Sequence, residues 1–257
     1  MIKKFKVLLR KKIYNIGFEN KLSIKKKFNH INKTYKNKVY KFSFGNKYKN
    51  KSFYIIKRHP GAGFFSNLLY VLINLDYADK NKLIPVIDME NFPTMYNEKK
   101  NLYNIKNVWE LYFKKLNKYK LDDVYKSKNV FISYEKQKIQ LNSFKKKRYK
   151  YLFDKYIKIN PTLIKKIKIF KNKNFRNKKV LGIHLRGTDQ KISAGHSIPP
   201  SIFEIEDIID KNIKNEKYEL IFLVTEQQKY YNHLKSKYGK YICSYDVFRG
   251  DRAKDFS

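Results

Sequence analysis

The residues of this chain best able to do chemistry stand together in His184-Leu185-Arg186-Gly187-Thr188-Asp189. An arginine presents a planar fork of donors that matches a phosphate, and an aspartate three residues on can hold that arginine or accept from a sugar or base. Side chains alternate along a strand, so His184 and Arg186 are predicted to project from one face. Thr225-Glu226 closes another apolar run; the threonine can donate to a phosphate oxygen and the glutamate can accept from a ribose hydroxyl. Earlier in the chain, Gly61 and Gly63 precede an apolar helix, and Asp88 and Glu90 close the next apolar run. The glycines let the backbone turn tightly and let an anion approach a helix N-terminus. Either carboxylate can serve as a general base or as a strand-end cap. Arg186, Asp189, Thr225 and Glu226 together describe a site for a nucleoside diphosphate, built without a Walker lysine or a Gly-x-Gly-x-x-Gly turn. A structural Arg186–Asp189 pair that closes the loop is the competing reading.

These residues need strand ends to hold them. Residues 53–56 read as a short buried strand, 64–78 as a helix with apolar residues at four-three spacing, and 83–87 as a second strand. Strand, helix and strand in so short a span form a right-handed crossover with a parallel pair, whose carboxyl edge is where open α/β sheets bind ligands. A second unit repeats the pattern. Strand 180–185 runs into Arg186, Ser201-x-x-Glu204 is a capping box opening a helix with Ile202, Ile205, Ile209 and Ile213, and strand 220–224 follows. Thr225 with Gln228 is expected to cap a further helix, and 241–243 reads as a last strand. Between the units, 100–170 looks helical and connecting, with a strand-like 130–133 and Pro161 interrupting 151–170. Trp109 reads as a core anchor. Lys145-Lys146-Lys147-Arg148 reads as a solvated face and the best local contact for a polyanion.

The chain has 257 residues, 59 Lys+Arg against 22 Asp+Glu, a net charge of +37 and a single cysteine, Cys243. That excludes a disulfide-stapled mini-domain and a Cys-rich zinc module. With 42% apolar residues it can bury a sizeable core, in one large domain or two small ones. The charge attracts polyanions, nucleic acid among them. However, 52 Lys and 25 Asn stand beside only 7 Arg, a bias that AT-rich coding alone produces, so solvated charge ranks ahead of nucleic-acid binding. By the same logic, an arginine that persists among so many lysines marks a place that needs a fork. Residues 1–50 are Lys- and Asn-rich with little apolar periodicity, either a polybasic contact with anionic lipid or a solvated leader. Val7-Leu8-Leu9 is too short for a signal-peptide core, and no run approaches the roughly 20 apolar residues of a spanning helix. The chain reads as cytoplasmic, and on the polybasic reading of residues 1–50 as peripheral at the inner face of the cytoplasmic membrane.

His184-Leu185-Arg186-Gly187-Thr188-Asp189 resembles the H-x-R-x-T-D motif of the α1,6-fucosyltransferase, NodZ and protein O-fucosyltransferase superfamily. Gly61-Ala62-Gly63 before an apolar helix resembles the family's N-terminal glycine loop, and residues 221–226 are similar to its strand ending in Thr-Asp. The resemblance implies an α/β, GT-B-like fold of two Rossmann-like domains with parallel sheets: a basic segment 1–50, an acceptor-side domain 51–170 and a nucleotide-sugar domain 171–257. It implies GDP-fucose as donor substrate, no cofactor, a glycan acceptor in surface polysaccharide synthesis, and transfer with inversion and without metal. On that reading Arg186 binds the β-phosphate, His184, Thr188 and Asp189 position it, Gly61 and Gly63 close over the donor, and Thr225 and Glu226 lie near the nucleotide. Gly187 stands where the core α1,6-fucosyltransferases carry a second arginine, and the loop 190–196 lacks their glutamate base. His196, Asp88 and Glu90 are then the base candidates. The family also continues past this point with further strands, so the second domain is expected to be incomplete, which leaves a catalytically dead remnant as a further alternative.

Overall fold

The computed structural model describes residues 39–57, 63–92, 94, 96–97, 105–133, 143–186 and 200–251. The chain divides into Met1–Leu163 and Ile164–Ser257. The first unit is built on strands β1 (Val39–Phe42), β2 (Lys47–Lys57), β3 (Ile84–Asp88) and β4 (Ser127–Ser133), ordered β1-β4-β2-β3. β2 runs parallel to β3 and β4, and helix α1 (Phe64–Lys80) makes the expected crossover from β2 to β3. β1 is antiparallel to β4, so the sheet is mixed at one edge.

β1 and the front of β2 correct the reading of residues 1–50 as a leader, because from Val39 onward the segment enters the sheet. These stretches are mostly exposed or half-buried, so they carry no apolar alternation to betray them. The turn between them needs a glycine at position 45, where a Cβ would stand 2.5 Å from the Lys126 carbonyl oxygen.

The buried end of β2 alternates between two cores. Tyr54 and Ile56 face Val71 and Leu75 of α1 and Leu152 of helix α4, whereas Phe53 and Ile55 face Val86, Phe92 and Val124. α4 spans Ser143–Tyr156; the short helices α2 (Trp109–Tyr112) and α3 (Leu121–Val124) precede it. Trp109 is the anchor expected of it, buried with Nε1 donating to the Lys114 carbonyl at 3.2 Å. The basic run on α4 is only in part the solvated face it resembles: Lys146 and Lys147 are exposed, but Lys145 and Arg148 are paired. Arg148 Nε meets Asp76 at 2.8 Å and Nη2 meets Asp79 at 2.6 Å, and Lys145 reaches Asp76 at 3.3 Å.

Helix α5 (Pro161–Asn174) carries the chain across the division between the units, ahead of the 170/171 boundary read from sequence. The second unit holds a fully parallel sheet, β5 (Val180–Leu185), β6 (Leu220–Thr225) and β7 (Ile242–Cys243), in that order. Helices α6 (Ile202–Glu216) and α7 (Gln228–Tyr238) supply Ile205, Ile209 and Leu234 to a core with Leu185, Ile221 and Leu223. On the sheet's other face Phe222 is covered by Phe170, Phe175 and Tyr245. The capping box forms as expected: Ser201 Oγ accepts from the Glu204 N–H, and Glu204 accepts from the Ser201 N–H at 2.6 Å. Thr225 does not cap α7. Gln227 occupies the N-cap, and Thr225 Oγ1 instead accepts the Gln227 N–H at 3.1 Å.

Candidate functional site

Two strand ends carry the candidate residues, one in each unit. At the end of β5, Leu185 is buried while His184 and Arg186 on either side of it are exposed, the alternation that puts those two on one face. β6 lies alongside, with His184 in register with Val224 and Leu185 with Thr225. Thr225 therefore shares the buried face with Leu185, and its hydroxyl serves the turn. The structure brings His184 and Arg186 together and turns Thr225 away from them. Glu226 is half-buried, and its carbonyl accepts the Gly250 N–H at 2.9 Å. Gly187, Thr188, Asp189 and His196 lie outside the described residues.

The segment after β7 borders this edge, which no sequence pattern announces. Arg249 Nη2 donates to Ser244 Oγ and to the Tyr245 carbonyl, both at 2.7 Å, and its guanidinium sits 4.3 Å from the Tyr231 ring centre. Asp251 accepts the Lys229 N–H at 2.9 Å, so a carboxylate of the chain itself occupies the first turn of α7. Only the scarcity of arginine among so many lysines marks Arg249 in the sequence.

In the first unit, Gly61 lies outside the described residues, and Gly63 is the N-cap of α1 at φ −65°, a conformation open to other residues. The Tyr96 hydroxyl accepts the Phe64 N–H at 2.7 Å, so it occupies the mouth of that helix. Asp88 is fully buried at the end of β3, where its carboxylate accepts from the Asn91 N–H at 2.8 Å, Asn91 Nδ2 at 2.9 Å and the Tyr125 hydroxyl at 2.7 Å. Burial pushes its pKa up against the pull of those donors. So enclosed, Asp88 fits the role of strand-end cap and not that of a base reaching for an acceptor; Glu90 beside it is half-buried.

Sequence reasoning missed Lys57. It ends β2 in register with Asp88, is buried, and lies with Nζ 5.2 Å from the Phe92 ring centre. Burial pulls its pKa from 10.5 down to about 7, with the Asp88 charge opposing. Nothing local distinguishes this lysine; its surroundings come from residues some thirty positions on. Among the described residues no group of three or more His, Cys, Asp or Glu could hold a metal ion.

No protein-family model matches the chain, and no curated relative does. Solved structures do. The fucosyltransferase NodZ from Bradyrhizobium superposes with a TM-score of 0.53 at 13% identity, over 77% of this chain and 79% of that one. NodZ α-1,6-fucosyltransferase soaked with GDP-fucose gives 0.53 at 12% identity over 80% of each chain, and the same enzyme co-crystallised with GDP gives 0.52 at 12% over 77% and 79%. The fold is GT-B-like. Arg186 and Lys57 stand at the carboxyl ends of parallel strands, the edge at which open α/β sheets as a class bind ligands.

Proposed function

We propose that the chain is a glycosyltransferase that moves fucose from GDP-fucose to a glycan acceptor in surface polysaccharide synthesis, with inversion and without a metal ion. One observation carries the reading: β5 presents Arg186 and His184, exposed on one face, at the carboxyl edge of a parallel sheet in a fold shared with NodZ. The acceptor hydroxyl attacks the anomeric carbon as the bond from that carbon to the β-phosphate oxygen breaks. The departing GDP gains negative charge, and the guanidinium of Arg186 stabilises that charge more in the transition state than in the bound donor. His184, Thr188 and Asp189 position the diphosphate, Glu226 accepts from the nucleotide's ribose, and Gly61 and Gly63 are the first unit's candidates for donor contact. Thr225 supports the edge through its turn. The hydroxyl proton goes to a base, and with Asp88 enclosed, Glu90 and His196 are the groups for that role.

Thermal unfolding tests the donor site. GDP-fucose is expected to raise the melting temperature of the parent chain, because a ligand that binds only the folded state stabilises it. Arg186→Ala, altered at an exposed position, should show a much smaller ligand-induced rise above its own unliganded melting temperature. An equal rise in both proteins would remove Arg186 from the site.

A further inference from the structure

Helix α5 differs from every other long helix of the described chain in burying no residue. Its inward line ends in contact, because Phe170 stacks on Tyr245 at 3.9 Å and tilts against Phe222 at 5.5 Å. One turn and two turns earlier the apolar line continues at exposed positions: Ile167 is 53% exposed and Ile164 38%. Lys168 follows Ile164, and Lys171 follows Ile167, at i,i+4 spacing, so the two isoleucines and two lysines form one exposed stripe. Residues 161–179 hold eight Lys and Arg, and no Asp or Glu occurs from 155 through 188.

An aqueous surface gains nothing from exposed isoleucines, and a basic run by itself fits any polyanion. The combination is more selective. In the plane of a lipid interface, aliphatic side chains enter the acyl boundary while lysine stems lie along it and lift their ammonium groups to the phosphates. Nucleic acid rewards the lysines and, where bases are exposed, aromatic stacking platforms, but it offers isoleucine no comparable partner. We infer that α5 docks the protein on an anionic membrane surface through Ile164, Ile167, Lys168 and Lys171. This contact is separate from the basic N-terminal residues and independent of the reaction proposed above.

Co-sedimentation of the full chain with vesicles tests this. Vesicles of phosphatidylcholine with phosphatidylserine should bind it, and phosphatidylcholine alone should bind it far more weakly. Lys168→Gln with Lys171→Gln should lower partitioning by about twenty-five-fold, from roughly fivefold per lysine at an anionic surface. Ile164→Ser with Ile167→Ser should lower it by about tenfold or more. All four positions are exposed, so each pair should keep the parent's circular dichroism and melting temperature. No binding to the anionic vesicles, or binding that neither pair weakens, would overturn the inference. Tighter binding to duplex DNA than to vesicles, lost in the lysine pair and kept in the isoleucine pair, would overturn it in favour of a nucleic-acid surface.

Discussion

Arg148 shows what the chain uses its few arginines for. Its fork reaches Asp76 at 2.8 Å and Asp79 at 2.6 Å, two carboxylates on α1 that a single ammonium cannot hold in that geometry. Lys155 first and Arg148 second hold the Asp79 carboxyl down at about 2. A folded-state value below the ordinary 3.8 means stability that is fully present above 3.8 and lost as the pH falls through about 2. Arg148→Lys should therefore cost about 1–3 kcal/mol at neutral pH, and the loss should shrink in acid; urea unfolding across a pH series reads both. The scarcity of arginine made this residue conspicuous in the sequence, but its partners lie about seventy positions away, which is why the surrounding lysine run reads locally as solvated. Lys57 was not legible at all. Its pKa of about 7 lies below its ordinary 10.5, so between those values the unfolded chain binds more protons and stability rises with pH. The rise should be on the order of a few kcal/mol, and Lys57→Met should abolish it; a variant with the parent's slope would show that another group titrates there.

Elements fared better than residues, for a physical reason. β3, β6 and the buried half of β2 announce themselves because both faces are largely covered and their sequences are mostly continuous apolar runs, while β5 shows through the apolar Val180, Leu181, Ile183 and Leu185 although one face meets water at His184. β1 and the Lys/Asn-rich front of β2 lie where one or both faces meet water, and no pattern survives there. The insertion of β4 between β1 and β2 joins segments some eighty residues apart, a pairing that no local window contains. The capping box of α6 was legible because it is wholly local. Ser201→Ala should lower stability by about 1 kcal/mol, read as a lower melting temperature of the full chain. No change would mean that packing of Ile205 and Ile209 alone fixes that helix start.

At the scale of the whole molecule, two α/β units each present the carboxyl ends of parallel strands, and the chain carries a net charge of +37. Such a field draws in any anion, so affinity for a nucleotide and its fall with salt say little by themselves. Discrimination between bases at fixed salt, and dependence on one guanidinium, say much more. The most direct measurement is calorimetric titration of the chain with GDP, alongside UDP and alongside the Arg186→Ala variant. The account predicts a single GDP site per chain, little or no heat from UDP, and a loss on the order of 10- to 100-fold in the variant. Equal binding of GDP and UDP, or GDP binding that survives Arg186→Ala, would contradict it.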